Sequence, residues 1–375
     1  MKSLKSTFIP WAKPTFFGNE KDYVADALSS TWISGGAYVE RLEADLPEIL
    51  GARFGVTVSN GTAALHLALL AIGIGQGDEV IVPGYTFAAA ANMVLAVGAT
   101  PVYADVNPAT WLLDAGALEP LITPRTKAVI PVHLYGNVAA MREIMDLAEG
   151  RSIPVIEDTA EAIFSKYNDR HAGTFGTLGT LSFQATKTIT TGEGGMVLTD
   201  DRELHERMVL LRDHGMRREK RYWHDMVGYN FRMTNLQAAL GCAQLEKMDH
   251  ICRERHRVHA AYRKNLADES RIKEQYFERG VAPVLWTYAV RLNAEKNTPS
   301  RDQIIKRLGQ RGIETRPGFH PLSEMPPYEC PQLPIASEIS GNIISFPTYP
   351  DLDNRTIAHI CDSFKSEFSH AKDNG

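Results

Sequence analysis

Lys187 is the residue of this 375-residue chain best placed for covalent chemistry. It lies in the run SFQATKTITTGEGG at residues 182–195, which predicts a strand end followed by a glycine-rich hairpin. A lysine forms a Schiff base with an aldehyde when its ammonium loses contact with water and gives up a proton. The alternative is an ordinary solvated lysine in a loop whose glycines only shape a turn.

Asp158 is a second candidate, in the run VIEDTAE at residues 155–161. The apolar residues predict a buried strand, so the acidic side chain just after them should project into the crevice above a sheet. A buried carboxylate there needs a cation, and the pyridinium nitrogen of pyridoxal phosphate is one. Their ion pair would keep the ring an electron sink. The alternative is an N-cap for a following helix.

Three further segments could complete such a site. Residues 59–65 join a predicted strand to a helix, so the hydroxyl of Thr62 and free backbone N–H groups could bind a phosphate. Ser182 offers another hydroxyl beside the lysine loop. Phe87 follows a predicted strand and could stack on a pyridine ring. The ordinary alternatives are a helix cap for Thr62 and a core position for Phe87.

The elements around these candidates predict a parallel sheet between about residues 55 and 155. Short β-branched runs alternate there with helical patterns, which is typical of βαβ units. The pairs are Phe54–Val58 with Ala63–Leu70, Glu79–Val82 with Ala88–Val97, and Ala128–Pro131 with Met141–Ala148. Ligands bind at the carboxyl ends of parallel strands, where the candidate side chains fall.

The C-terminal third has a different pattern. Apolar residues near a 3.6-residue period predict a long helix over Asn230–Asp249 that links two domains. A strand, a helix and a turn-rich loop then precede a final helix, at Trp286–Leu292, Arg301–Gln310 and 317–334. We expect a large domain over residues 1–250, a small α+β domain over residues 251–375, and a frayed tail at 369–375.

The composition argues against several classes of protein. A net charge of −5 gives no basic footprint for nucleic acid. No stretch approaches the roughly 18 apolar residues of a membrane span, and residues 1–6 lack the apolar core of a signal peptide. The four cysteines lack zinc-site spacing and are expected to be reduced thiols. We therefore expect a cytoplasmic protein with no metal, nucleic-acid or membrane partner.

The ordered motifs of the chain resemble those of the DegT/DnrJ/EryC1/StrS sugar aminotransferases. The resemblance covers nearly the whole sequence and rests on NGTAAL at 60–65, GDEVIVP at 77–83, PVHLYG at 131–136, Glu157-Asp158, Ser182-Phe183, Lys187 and GEGG at 192–195. It implies an α/β fold of fold-type I, like that of aspartate aminotransferase. A mostly parallel sheet forms the large domain of that fold, a smaller α+β domain follows, and the cofactor is pyridoxal 5′-phosphate.

The resemblance also implies roles for single residues. Lys187 would carry the cofactor and act as acid and base, while Asp158 would pair with the pyridine nitrogen. The remaining cofactor contacts would be a stacking ring at Phe87, a neighbour of the phenolic oxygen at Glu161, and a phosphate site at Gly61, Thr62, Ala63 and Ser182.

Asn230 would reach that phosphate from a second subunit. The resemblance thus implies a homodimer with shared active sites, in which a monomer is inactive. The alternatives are that Asn230 caps the long helix and that Glu161 is a surface helix residue.

Within the family, the chain most resembles enzymes that use L-glutamate to aminate GDP-4-keto-6-deoxymannose in O-antigen and other polysaccharide biosynthesis. This narrower resemblance rests on TWIS at 31–34, RYW at 221–223, GYNFRMTNLQAA at 228–239 and RPGFHP at 316–321. The expected substrate contacts are Trp32, Ser34, Arg232, Arg316 and His320. His320 could instead be a structural histidine in a proline-bracketed turn.

The lysine loop departs from the family pattern. Gln184 stands where an aromatic residue is common, and Ala185-Thr186 replaces a glycine-asparagine pair, which leaves the exact sugar open. The alternatives are an aminotransferase for a dTDP- or UDP-linked keto sugar and a non-catalytic regulator that binds pyridoxal phosphate. A related 3-dehydratase would have histidine in place of Lys187, so this lysine argues against that class.

Overall fold

The computed structural model describes residues 8–217, 219–293 and 298–368. The helices of these ranges are α1 (Glu20–Ser29), α2 (Ala37–Leu50), α3 (Gly61–Ala71), α4 (Ala89–Ala96), α5 (Ala115–Leu118), α6 (Met141–Glu149), α7 (Arg202–Arg212), α8 (Asn235–Leu245), α9 (Met248–Leu266), α10 (Arg301–Gln310), α11 (Pro334–Asn342) and α12 (Asn354–Ser366). Short 3-10 helices cover Glu119–Leu121, Leu134–Gly136 and Leu322–Glu324. Two predictions concern residues outside the described ranges. They are the frayed tail at 369–375 and the lack of a signal-peptide core at 1–6.

The strands of the same ranges are β1 (Phe54–Val58), β2 (Glu79–Pro83), β3 (Thr100–Ala104), β4 (Thr126–Val129), β5 (Ile156–Asp158), β6 (Lys166–Tyr167), β7 (Arg170–His171), β8 (Leu178–Ser182), β9 (Gly195–Thr199), β10 (Ile272–Glu274), β11 (Val281–Ala282), β12 (Tyr288–Leu292), β13 (Arg316–Pro317) and β14 (Ile343–Phe346). The βα pairs predicted from the sequence are all present, with ends that shift by no more than about two residues.

A mostly parallel sheet forms the centre of the large domain. Its ladders β1-β9-β8-β5 and β3-β2-β4 are joined where the chain leaves β4, because the N–H groups of His133 and Asp158 donate to the carbonyls of Asp158 and Pro131 at 3.0 and 2.9 Å. The strand order is therefore β1-β9-β8-β5-β4-β2-β3. In this sheet β9 runs antiparallel to both of its neighbours, and the other pairs are parallel.

Helix α3 is apolar on nearly all sides, which explains why it packs between β8, β9, α4 and α7 rather than at the surface. Its N-cap is Asn60, whose side chain accepts a hydrogen bond from the N–H of Ala63. This packing brings the first turn of α3 to the end of β8, where the lysine loop begins.

The prediction of one long helix over Asn230–Asp249 is wrong. The chain is extended before Thr234, because the N–H of Phe231 donates to the carbonyl of Arg212 at 3.1 Å and competes with a helix. Thr234 and Gln237 then form a capping box that starts α8. A break separates α8 from α9, and the apolar period continues across it because both helices bury one face.

The C-terminal part has its own antiparallel sheet, β10-β12-β14-β13, and its own apolar core with α9 and α12. The predicted boundary after residue 250 falls in the first turn of α9. Leu322 and the buried face of α11 pack into the core of the large domain instead. The division at residues 250/251 therefore stays a prediction. Within the described ranges, none of the helices has the length and apolarity needed to cross a bilayer.

Candidate active site

The loop that carries Lys187 connects β8 and β9 as the predicted hairpin. The Lys187 N–H donates to the carbonyl of Gln184 at 2.8 Å, and Gly192 supplies a left-handed turn residue with a φ of 82°. The side chain of Gln184 accepts from both the N–H and the hydroxyl of Thr186, at 2.8 and 2.7 Å. Gln184 and Thr186, which depart from the family pattern, thus stabilise the lysine turn through these hydrogen bonds.

The Lys187 amine lies between a carboxylate and an aromatic face. Its Nζ is 3.7 Å from Oε1 of Glu161 and 4.0 Å from the ring centroid of Trp286. The indole N–H of Trp286 donates to the carbonyl of Thr186 at 2.8 Å, so a hydrogen bond joins the Trp286 ring to the turn that carries Lys187. The Lys187 side chain is 14% exposed, so the interpretation as a solvated loop lysine is wrong.

Glu161 is buried, and its carboxyl is bound by a backbone N–H group. Its Oε2 accepts the N–H of Tyr135 at 3.0 Å, and Tyr135 is in the left-handed region with a φ of 61°, a conformation that a non-glycine residue seldom adopts. Burial raises the Glu161 pKa to about 7, although the charge of Lys187 opposes this shift. Glu161 is therefore not a surface helix residue, and its carboxyl can exchange a proton near neutral pH.

Asp158 ends β5 and is buried. Its Oδ1 accepts the N–H of Ala160 at 3.1 Å, and the segment that follows is a turn rather than a helix, so the N-cap alternative is wrong. Burial raises the Asp158 pKa, and the Ala160 N–H and the charge of Lys187 partly oppose that shift. Within the described ranges no cation is in ion-pair contact with this carboxylate. A pyridinium N–H fits this donor-poor buried acid.

The first turn of α3 meets Ser182. A Cβ atom at Gly61 would lie 2.7 Å from Cβ of Ser182, so only glycine permits this close approach. The Ala63 N–H already donates to Oδ1 of Asn60 at 2.8 Å, and Asn60 rather than Thr62 is the helix cap. The exposed Thr62 and the hydroxyl of Ser182 flank a helix N-terminus, an arrangement that fits a phosphate group.

A row of aromatic rings runs from Phe87 to the lysine. Ring centroids are 6.0 Å apart for Phe87 and Phe319, 6.0 Å for Phe319 and Tyr135, and 6.3 Å for Tyr135 and Trp286. Phe87 is 61% exposed, so it is not a core residue. The row links the exposed Phe87 to Trp286, the ring that lies 4.0 Å from Nζ of Lys187.

Three of the expected substrate residues line one surface cavity of about 440 Å³, namely Trp32, Ser34 and Arg232. Trp32 is 70% exposed, and Nη1 of Arg232 lies 3.1 Å from Oδ1 of Asp213. Lys187 does not line this cavity.

The other two expected substrate residues lie on the lysine side. The Arg316 guanidinium is 4.3 Å from the ring centroid of Trp11, and Trp11 meets Trp286 edge to face at 5.2 Å. His320 is exposed and follows Phe319, a member of the aromatic row. The five residues are thus split between two places in a single chain.

Asn230 is exposed, and its Oδ1 accepts the Nε–H of Arg232 at 3.1 Å. The carbonyl of the next residue, Phe231, accepts the N–H of Ser59 at 2.7 Å, so Asn230 lies beside the loop that precedes α3 in its own chain. Thr234 is the cap of α8, which rules out the capping alternative for Asn230.

Several residues of the site were missed from the sequence. Trp286 lies against the Lys187 amine, and Trp11 and Tyr135 pack against Trp286, yet no local pattern links residues so far apart in the chain. The one available signal was the PVHLYG motif, whose tyrosine precedes Gly136 in a tight turn with a φ of 95°. No cluster of three or more potential metal ligands occurs in the described ranges.

Comparison with known proteins gives consistent results. The profile of the DegT/DnrJ/EryC1/StrS aminotransferase family matches residues 16–365. The chain is 40% identical to the GDP-perosamine synthase of Escherichia coli O157:H7, over 96% of this chain and 99% of that protein. It is 45% identical to the GDP-perosamine synthase of Caulobacter vibrioides, over 93% and 95% of the two chains.

A solved structure gives the same result for the fold. The PLP form of the candidate sugar aminotransferase Spr1654 from Streptococcus pneumoniae superposes with a TM-score of 0.91 at 28% identity, over 97% of this chain and all of that one. This likeness confirms the fold-type I architecture predicted from the sequence.

Proposed function

Because the chain belongs to the DegT/DnrJ/EryC1/StrS aminotransferase family and is a pyridoxal phosphate-dependent transaminase, we propose that it makes GDP-perosamine. In this reaction L-glutamate donates its amino group, and GDP-4-keto-6-deoxymannose accepts it at the ketone carbon. The observation that carries the proposal is the 45% identity to a GDP-perosamine synthase over 93% of this chain.

The proposed cofactor site uses residues from four strand ends. Lys187 would hold the cofactor through its amine, and Asp158 would hold the ring nitrogen. Phe87 would stack on the ring, while Gly61, Thr62 and Ser182 would hold the phosphate. When bound, pyridoxal phosphate supplies an electron sink that stabilises negative charge on the carbon that loses a proton.

Lys187 would also move the proton. Its Nζ can accept a proton from the substrate carbon and return it, which is general acid–base catalysis by one amine. Glu161 lies 3.7 Å from Nζ, and above its raised pKa of about 7 its carboxylate can balance the charge of the ammonium. Trp286 beside Nζ and Tyr135 beside Glu161 are both buried, and surroundings with little water strengthen these electrostatic interactions.

Trp32, Ser34, Arg232, Arg316 and His320 would bind the substrates, with the arginines suited to carboxylate or diphosphate groups. We propose that two chains form a homodimer with shared sites, in which Asn230 reaches the cofactor phosphate of the other subunit. The split of these five residues between the lysine side and the separate cavity supports this arrangement.

Mixing two inactive variants tests the shared site. Lys187→Ala lacks the amine, and Asn230→Ala lacks the side chain proposed to cross between subunits. If sites are shared, mixed dimers contain one intact site, and activity returns when the variants are unfolded and refolded together. Each variant refolded alone is the control. No recovery in the mixture would contradict the shared site.

The cellular location is also a proposal. All four cysteines are free thiols, which suits the reducing cytoplasm. There the product would serve O-antigen or other polysaccharide biosynthesis.

A substrate panel tests the reaction itself. GDP-, dTDP- and UDP-linked keto sugars are incubated with L-glutamate and the protein, and products are read by mass spectrometry. We expect the aminated GDP sugar and an equal amount of 2-oxoglutarate. Amination of only a dTDP or UDP sugar would replace the proposed substrate, and no 2-oxoglutarate with any sugar would favour a regulator that binds the cofactor.

A further inference from the structure

Arg255 is a buried arginine at the junction between the lysine turn and the C-terminal part. It lies on α9 and is 3% exposed. Its Nη1 donates to the carbonyls of Leu285 and Trp286 at 3.1 and 2.8 Å, and its Nη2 donates to the carbonyl of Lys187 at 3.3 Å. One guanidinium thus binds the backbone of the catalytic candidate and the backbone of the tryptophan beneath it.

The charge of Arg255 has no counterion among the residues that the structure describes. No carboxylate lies in ion-pair contact with it in the described ranges, and its Nε has no hydrogen-bond partner there. Burial lowers the Arg255 pKa to about 10. A buried charge held only by carbonyls costs stability, so an apolar residue would be expected here if packing were its sole role.

The donor geometry explains why arginine is present. Its planar fork carries five donors and can bind three carbonyls on two separate segments at once, whereas a lysine ammonium is a compact point charge on a flexible stem. The same two segments are joined again by the indole N–H of Trp286, which donates to the carbonyl of Thr186 at 2.8 Å. Arg255, Trp286 and residues 186–187 therefore form a closed ring of hydrogen bonds.

This ring of hydrogen bonds holds the backbone of both Lys187 and Trp286. The Trp286 ring lies 4.0 Å below Nζ of Lys187, and the Arg255 guanidinium fixes the backbone of both residues. A shift of either segment would move the amine relative to Glu161. Misplacement of a reacting group by about 1 Å can reduce a rate about 10²-fold.

We propose that Arg255 is a positioning residue for Lys187. Its guanidinium locks the lysine turn onto Trp286, so that the backbone of Lys187 keeps one position whether or not its amine is bonded to the cofactor. The inference rests on the proposed role of Lys187 as the residue that holds the cofactor.

The test compares Arg255 with Arg257, which is on the same helix. Arg257 also binds two carbonyls, those of Pro350 and Leu352 at 3.0 and 2.9 Å, but neither belongs to the lysine turn or to Trp286. The variants are Arg255→Met, Arg255→Lys and the control Arg257→Met. Two experiments are done on the full chain: amide hydrogen exchange of the segment at residues 183–195, and steady-state kinetics that give kcat and KM for L-glutamate.

We expect Arg255→Met to speed exchange in residues 183–195 about tenfold and to lower kcat about 10²-fold, with KM changed by less than about threefold. Arg255→Lys should recover about tenfold of the lost kcat, because one donor group remains. Arg257→Met should leave both the exchange of this segment and kcat within about threefold of the parent.

The inference is overturned if Arg255→Met and Arg257→Met behave alike in both measurements. If Arg255→Met does not fold, Arg255→Lys decides, since it must still show faster exchange in the turn and a lower kcat than the parent. Lys187→Ala separates the two hypotheses. If Lys187→Ala still bound and used the cofactor normally, the proposed role of Lys187 would be wrong. If Lys187→Ala is inactive while the Arg255 variants keep the exchange rate and kcat of the parent, only the positioning role of Arg255 is wrong.

Discussion

The lysine turn and the cavity lined by Trp32, Ser34 and Arg232 are held in opposite ways. Around Lys187, buried groups from three other parts of the same chain hold its backbone and side chain, namely Glu161, Trp286 and Arg255. In the cavity, Trp32 is 70% exposed, and Arg232 is paired only at the surface. From this difference we expect the covalent chemistry to be pre-organised around Lys187, and substrate selection to depend on side chains that remain free to change.

The largest expected effect is at the lysine itself. Lys187→Ala should lower 2-oxoglutarate release by at least about 10³-fold, the scale observed when an enzyme loses its nucleophile. Lys127→Ala, at an exposed lysine in β4, should retain full activity. If Lys187→Ala turned over at nearly the rate of the parent, the lysine turn would not be the place of the covalent chemistry.

Glu161 should leave a signature in the pH dependence of stability. The folded chain keeps a proton on this carboxyl up to about pH 7, whereas the unfolded chain loses it near its ordinary pKa of 4.5. The stability that this group contributes is therefore fully present below about pH 4.5 and is lost as the pH rises through about 7. The expected change in the free energy of unfolding is about 3 kcal/mol.

Denaturant unfolding of the cofactor-free protein across that pH range measures this effect. Glu161→Gln should be more stable relative to the parent at pH 7 than at pH 4.5, because the amide does not titrate. Glu48→Gln, at an exposed carboxyl, should follow the parent at every pH. Parallel curves for Glu161→Gln and the parent would show that the buried carboxyl does not behave as described.

The phosphate end of the site should be sensitive to a single methyl group. In Gly61→Ala the new Cβ would lie 2.7 Å from Cβ of Ser182, so α3 must move away from β8. Overpacking of this kind costs about 1–3 kcal/mol, which corresponds to about 10- to 100-fold weaker binding of pyridoxal phosphate. A titration followed by visible absorbance measures the affinity.

The matched control for that change is Gly75→Ala, after the same helix. A Cβ there would meet nothing closer than the carbonyl of Val97 at 3.9 Å, so cofactor affinity should not change. Equal affinities for Gly61→Ala and Gly75→Ala would mean that the first turn of α3 does not hold the phosphate.

The smallest expected effect is in the exposed cavity. Trp32→Ala should raise KM for the GDP-linked sugar about tenfold, the loss expected for one aromatic contact of about 1.4 kcal/mol. The visible absorbance of bound pyridoxal phosphate should not change, because Lys187 is held independently. Tyr276→Ala, at another exposed aromatic residue, serves as the control. A loss of cofactor binding in Trp32→Ala would show that the two regions are not separate.

The sequence predicted those parts of the site that local patterns encode. Apolar runs and glycines indicated the hairpin of β8 and β9, and the acidic residue after β5 indicated Asp158. It did not predict that Trp286 lies beneath Lys187 or that Arg255 binds both backbones, because these contacts depend on tertiary packing. The helix error over Asn230–Asp249 has the same origin, since the hydrogen bond from the N–H of Phe231 to the carbonyl of Arg212 overrides the local helical period.

Reduction with borohydride tests the central claim most directly. The purified protein is incubated with pyridoxal 5′-phosphate, reduced, digested and mapped by mass spectrometry. We predict that the stable pyridoxyl adduct is found on the peptide that contains Lys187, and that Lys187→Ala carries none. A protein that shows no adduct, or an adduct on another lysine with Lys187 unmodified, would contradict the assignment of Lys187 as the residue that holds the cofactor.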